Sequence, residues 1–353
     1  MHIMRRKIMA NRISGMTVTL GIIGLGLAAS IRAQSKYASD SVVVDGHLHT
    51  PGQILKLSMD SKLAYELAVW SDSIMPQDTA QPIVLPPMLW PKIVDRHPQY
   101  TMQTLPDSIK TLMNATEAAY GERKLDSAML LYLLILKAAP DFAQTKTFMG
   151  DVFFLRGEYD SAIALYREVI EVNPADYQTH WFLGNALAKV GDSSEALSEL
   201  TTAHILNVHH KALKEVLVDF RARIGKPWKE WEFTPRYEIR RTSDRISILC
   251  DTTSLLYGLV KAFWAYEPGY AEKMRDTADI TDRLLNLKEE SEAVSCAVYA
   301  NDSLRAILFE PIVKDNLTQF ALYEVIAKRD PALMLHLDEI SRDFLVEYLN
   351  RFH

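Results

Sequence analysis

Lys124-Leu125-Asp126-Ser127-Ala128, Glu158-Tyr159-Asp160-Ser161-Ala162 and Asp192-Ser193-Ser194-Glu195-Ala196 are three versions of one segment. Their alanines stand thirty-four residues apart. Tyr132, Tyr166 and Leu200 follow the same step, as do Gly150 and Gly184, Gly157 and Gly191, and Pro140 and Pro174. A fixed period of this length, with two helical apolar patterns per copy, predicts a solenoid of helix-turn-helix units. The small residues Gly150, Gly184, Ala128, Ala162 and Ala196 fall where two helices must approach closely. Tyr132, Tyr166 and Leu200 fill the space between them. Pro140 and Pro174 cannot continue a helix, so each closes one copy and opens the next.

These copies resemble the tetratricopeptide repeat family over 109–142, 143–176 and 177–210, about a third of the chain. The first has Thr116 at the usual glycine position, and the third has Val208 where the closing proline belongs; terminal copies drift because they have a solvent face. Lys211–Ile224 reads as a capping helix, with Ala212, Val216, Leu217 and Phe220 on its apolar face. The resemblance implies that the first helix of each copy lines a concave groove. On this sequence the groove positions are Met113, Glu117 and Tyr120, then Thr147, Asp151 and Phe154, then Trp181, Asn185 and Ala188. Family members that clamp a peptide's terminal carboxylate use Lys and Asn there. Only Asn185 fits that pattern, with Lys110 and Lys189 at the margins. A surface of aromatics and acids suits an apolar or basic segment of another protein. The competing expectation is that Trp181 and Phe154 pack against other parts of the same chain.

On the N-terminal side, 34–108 holds eight of the fifteen prolines and reads as an extension. Its exception is Ser61–Ser73, where Leu63, Leu67 and Trp70 have helical spacing and predict one short amphipathic helix. Gln81–Arg96 is proline-rich yet apolar, which predicts an extended strap across a folded neighbour, with Leu89 and Trp90 as anchors. On the C-terminal side, 225–353 shows no period. Tyr237–Arg241 and Arg245–Leu249 alternate on either side of Thr242-Ser243-Asp244 and predict a hairpin. Helices are expected over Leu255–Tyr266 (capped by Asp251 or Thr252), Glu272–Lys288, Glu292–Tyr299, Leu317–Lys328 and Ala332–Phe352. The last is expected to bury Leu333, Leu337, Ile340, Phe344 and Tyr348.

Residues 1–33 read as a secretory signal. Arg5, Arg6, Lys7 and Arg12 precede an uncharged stretch, Ile13–Ile31, and a small residue at Ala33 is placed for cleavage; Ser30 is the alternative site. The apolar centre, Val18–Ala29, is short for a spanning helix, and an uncleaved anchor is the competing reading. The order looks like a bacterial export signal, so the expected address is the periplasm or cell envelope of a bacterium. Beyond residue 33 the chain has thirty-four Lys and Arg against forty-five Asp and Glu, a poor footprint for nucleic acid. The composition, 48% hydrophobic and 24% charged, is ordinary for a globular chain. Cys250 and Cys296 are the only cysteines. In an oxidising compartment they are free to pair, or each is buried as a thiol.

Few motifs carry chemistry. Asp45-Gly46-His47-Leu48-His49 resembles the first metal-ligand strand of amidohydrolase-type barrels, but no alternating strands and helices follow to close a barrel. His209-His210 sits at the end of the third copy, where a helix terminus suits it. Lys288–Glu292 (KEESE) reads as a solvated face. There is no Gly-rich phosphate loop, Gly-x-Ser-x-Gly or Cys-x-x-Cys.

The expected fold is mainly α: a solenoid of about three repeats with a cap, over 109–224, and a mostly helical segment over 225–353 with a hairpin. The expected function is non-catalytic docking of another protein or peptide, with no cofactor and no metal. The alternative is an envelope hydrolase recruited through its repeats, with Asp45, His47 and His49 as a metal site. A cleft in 225–353 holding a His or Cys within hydrogen-bond reach of a carboxylate would favour that alternative.

Overall fold

The computed structural model describes residues 48–69, 82–87, 89–94, 97–231, 233–275, 286–308 and 314–353. The export signal, Asp45, His47 and Trp70 lie outside them. The chain forms two compact units, each discontinuous in sequence: one spans the N-terminal part up to Ala80 and Glu232–Ile326, the other Gln81–Trp231 and Ala327–His353. Where the sequence reads 225–353 as one segment, the chain divides it near Ile326.

The first unit opens with helix α1 (Pro51–Asp60). Thr50 and Gln53 cap it reciprocally, each side chain accepting the other's backbone N–H, and Pro51 supplies a preset first turn. Strand β1 (Ala64–Val69) follows. This corrects the amphipathic helix expected over Ser61–Ser73. Tyr65 and Leu67 are buried while Glu66 and Ala68 are half-exposed, so the period is two residues. The helical spacing of Leu63 and Leu67 was local, and pairing with a strand far along the sequence overrode it.

The second unit begins with the strap. Residues 82–86 lie outside any helix or strand, and Leu85 is buried. Strands β2 (Leu89–Val94) and β3 (His97–Met102) then pair antiparallel. Leu85 is the buried anchor, Leu89 packs beside it, and Trp90 stays half-buried. Seven helices follow: α2 (Asp107–Gly121), α3 (Leu125–Ala138), α4 (Gln144–Arg156), α5 (Tyr159–Val172), α6 (Tyr177–Val190), α7 (Ser193–Leu206) and α8 (Lys211–Arg223). They are the three expected pairs and the cap. Ala128, Ala162 and Ala196 are fully buried, as are Tyr132, Tyr166 and Leu200. A methyl group added at Gly150 would stand 2.5 Å from Tyr166 Cε1, and one at Gly184 would stand 2.8 Å from Leu200 Cγ. Both glycines are there for close approach. The turn inside each pair repeats to the bond: Lys124 N–H to Ala119 O, Glu158 N–H to Phe153 O and Asp192 N–H to Leu187 O, at 2.9–3.0 Å. Gly157 and Gly191 take positive φ in that turn, and Arg123 occupies the equivalent place at φ 60°.

The first unit resumes with the hairpin β4 (Tyr237–Arg241) and β5 (Arg245–Cys250), as expected. Strand β5 lies at the centre of a three-stranded sheet, antiparallel to β4 and parallel to β1. Ile246, Ile248 and Cys250 point to its buried side. Helix α9 (Leu255–Tyr266) packs on the sheet, and Gly258 lets it reach Ile248. Helix α10 is only Tyr270–Met274; the rest of the expected Glu272–Lys288 helix falls on residues mostly outside those described. Helix α11 (Leu287–Ala300) contains the expected Glu292–Tyr299 helix, and α12 (Lys314–Phe320) runs into a π-helical turn at Ala321–Ala327.

The chain then rejoins the second unit. Asp330 caps and Pro331 opens a 3-10 turn, Pro331–His336. Helix α13 starts afresh at Glu339–Phe352, capped by Asp338. The expected single helix over Ala332–Phe352 is therefore two pieces, and the restart resets the phase. Ile340 and Phe344 are exposed, while Arg342, Leu345, Val346, Tyr348 and Leu349 face inward. Arg342 donates to the carbonyl of Pro174 at 2.6 Å, and Asn350 Oδ1 accepts from Thr201 on α7 at 2.9 Å. Helix α7 is covered on every side from Leu200 to Leu206.

Candidate functional site

The groove positions sit on α2, α4 and α6, the first helix of each pair. The structure divides them. Thr147 is fully buried: its hydroxyl donates to Thr179, 2.8 Å away, which donates to Asp176, which also accepts from Gln144. It holds α4 to α6 and presents no surface. Trp181 packs between the core of the last two repeats and a cluster containing Leu85 and Leu335. The chain's own strap and C-terminal turn thus engage that end, as the competing expectation had it. Asn185 and Ala188 are half-buried beyond it.

The other end is open. Glu117 is exposed, Met113 and Tyr120 are half-buried over the first repeat's core, and Phe154 stacks edge-on to Tyr159. Between them lies Asp151. Its Oδ1 accepts from Tyr166 at 2.7 Å. Burial pushes the carboxyl up to about 7, against the Tyr166 hydrogen bond, and Glu117 adds to the rise. Burial, then the charge of Asp151, pushes the neighbouring Tyr120 hydroxyl up to about 12. Two acids on adjacent repeats therefore face the same aromatic rim, and neither is in an ion pair among the described residues.

Residues 150–191 match the family model of the TPR repeat. That match spans parts of the second and third copies. Similar solved structures include the first TPR of Spaghetti (RPAP3) bound to an HSP90 peptide, at 14% identity, with 35% of this chain and 99% of that one covered and a TM-score of 0.32. The Sgt2 TPR domain from Aspergillus fumigatus is 18% identical over 36% of this chain and 91% of its own, with a TM-score of 0.32. MamA from Desulfovibrio magneticus RS-1 is 18% identical over 33% and 67%, with a TM-score of 0.31. No curated protein matches the chain.

A second cluster lies in the sheet-containing unit, and the sequence missed most of it. Glu292 on α11 is fully buried, which corrects the solvated face expected at Lys288–Glu292. Its carboxylate accepts from the backbone N–H and Nδ1 of His49, from the Tyr270 hydroxyl (each 2.9 Å) and from Trp264 Nε1 at 2.7 Å. Cys296, one turn on, donates to the His49 carbonyl at 3.4 Å; burial and Glu292 hold its thiol well above the ordinary range. Glu290 is equally buried and accepts from Tyr257 and from Lys261 at 2.8 Å. Burial alone would pull the Lys261 ammonium down, and Glu290 with Glu289 holds it above its usual value. The acids were illegible as core because charge ordinarily marks solvent; here α11 is enclosed on all sides from Glu290 to Val298.

Of the histidine pairs, His49 alone of the first is described. No three His, Cys, Asp or Glu side chains gather as a metal site among the described residues. In the second pair His209 donates to the Ile83 carbonyl at 2.9 Å, and His210 caps α8 by accepting from Leu213. Cys250 and Cys296 are both free and buried; burial pushes the Cys250 thiol up to about 12.

Proposed function

We propose that this is an exported, non-catalytic scaffold whose repeats hold a short segment of a partner protein. The open end of the groove, between α2 and α4, carries the reading. Tyr120 and Phe154 offer aromatic anchorage, Glu117 offers an exposed acid, and Asp151, raised to about 7 by burial, offers a carboxyl that a bound cation would ionise. An extended partner segment places a Lys or Arg between the two carboxylates and apolar side chains on the rings. The carboxylate clamp known in the family has no support at this end. Export rests on the basic-apolar-small order of residues 1–33.

The test is a positional peptide array read by fluorescence anisotropy. Segments with one Lys or Arg beside an aromatic or leucine bind, and Tyr120→Ala with Phe154→Ala removes binding measured well below the lowered melting temperature of that variant. Equal binding of acidic segments would refute the reading. N-terminal sequencing of the periplasmic form should begin near Gln34; a retained Met1 on a soluble chain would refute export.

One observation favours the enzymatic alternative. His49 gives Nδ1 to a buried carboxylate and remains partly exposed at the ring, as a general base would. The four donors on Glu292 also suit a purely structural clamp. A His49→Gln variant that melts like wild type yet abolishes a hydrolytic activity would favour catalysis.

A further inference from the structure

The outer faces of the second helices, α3, α5 and α7, occupy equivalent places thirty-four residues apart, so they can be compared position by position. In the second repeat the outer face is polar and exposed. Arg167 holds Glu195 with two bonds, at 2.6 and 2.8 Å, and Glu168 takes Lys146 at 2.6 Å. In the third, the equivalents Thr201 and Thr202 are buried, and Thr201 bonds to α13. In the first, the equivalents are Leu133 and Leu134. They are exposed at 47% and 52%, with Leu130 one turn before them at 65%. Nothing described covers this face.

A contiguous exposed leucine stripe on a helix is costly to leave in water and marks an interaction surface. The charges at its ends say what fits. Asp126 lies at the N-terminal end, 98% exposed, and Lys137 lies exposed at the C-terminal end. Asp126 accepts from Arg156 at the end of α4, and Lys137 has no ionic partner among the described residues. The stripe is thus acid, leucines, base. An identical helix laid antiparallel puts Lys137 against Asp126 at both ends and Leu130 against Leu133 and Leu134 in the middle. The small Ser127 and Ala138 sit beside the charges, where a second helix needs room.

We infer that the outer face of α3 is the two-fold interface of a homodimer. The interface is isologous: the same patch on each copy, self-complementary in charge and apolar surface. Each copy keeps its groove helices α2, α4 and α6 out of the contact, so the inference does not rest on the proposed function.

Sedimentation equilibrium on the purified chain tests it. The wild type should show twice the monomer mass, with dissociation only at low concentration. Leu130→Glu with Leu134→Glu should sediment as a monomer with unchanged helical circular dichroism. Should that variant fail to fold, Lys137→Asp changes only an exposed charge and should weaken the dimer about tenfold or more. A wild type that stays monomeric up to about 100 µM would overturn the inference and leave the face to a different chain. So would a dimer indifferent to all of these substitutions.

Discussion

Asn207 holds Leu85 at both of its backbone polar groups. Its Oδ1 accepts the Leu85 N–H and its Nδ2 donates to the Leu85 carbonyl, each at 3.0 Å and each buried. One side-chain amide thus does for the strap what a neighbouring strand would do. Asn207→Ala strands the buried Leu85 N–H and leaves its carbonyl only the longer bond from the Tyr177 hydroxyl, at 3.4 Å, a cost of roughly 1–3 kcal/mol. Amide hydrogen exchange at Leu85 should accelerate by orders of magnitude while that of Tyr166 changes little. Unchanged protection at Leu85 would show that the strap is held by its apolar contacts instead.

Arg123 adopts the left-handed conformation that Gly157 and Gly191 supply in the other two repeats. A Cβ in that region costs about 1–2 kcal/mol, partly offset by the greater freedom of glycine in the unfolded chain. Arg123→Gly should therefore stabilise the chain by about 0.5–1 kcal/mol. A urea titration measures it, with the slope unchanged. A destabilised variant would mean that the Arg123 side chain contributes more than its backbone costs.

Asp151 makes stability depend on pH in a direction opposite to an ordinary paired carboxylate. Its folded value, about 7, lies above the unfolded value, near 4. The folded chain therefore binds the proton more tightly, and stability is lost as pH rises from about 4 to about 7. Asp151→Asn keeps an acceptor for Tyr166 and removes the charge. It should melt like wild type at pH 4 and higher than wild type at pH 8. An equal difference at both values would place the cause in packing rather than in ionisation.

Trp181 separates two roles in one variant. It lies partly buried between two apolar clusters, with a buried indole N–H that has no hydrogen-bond partner among the described residues. Trp181→Ala should cost stability, about 3 kcal/mol, by emptying an aromatic site. Peptide binding at the open end, around Tyr120 and Phe154, should survive below the new melting temperature. An unchanged melt with lost binding would return Trp181 to the groove.

The repeats were legible because their signals are local. Gly150, Gly184, Tyr166 and Leu200 take their reasons from residues about one repeat half away. What failed to show was decided at long range. Tyr65 and Leu67 alternate in a strand only because β5, far along the sequence, offers it a partner. Ile340 and Phe344 fall on the inner face only of a helix that runs straight through Leu337 and Asp338, where the chain instead breaks and restarts. Glu290 and Glu292 looked solvated because no local pattern announces that Lys261, Tyr257, Trp264, Tyr270 and His49 supply their donors. For the groove, the resemblance points to the first helix of each pair, and nothing local says that Thr147 turns inward to meet Thr179.

The parallel pairing of Ala64 with Arg245 also sets an order of events during synthesis. The strand made first has no neighbour until β5 emerges, after every repeat has left the ribosome. The repeats depend on contacts within and between successive helix pairs, so they can close one after another as they appear. Once folded, they hold the intervening chain compact and reduce the loop entropy that the late strand pairing must overcome. The sheet is then completed only after the repeats, and until that moment β1 is an unpaired edge that a chaperone has reason to cover.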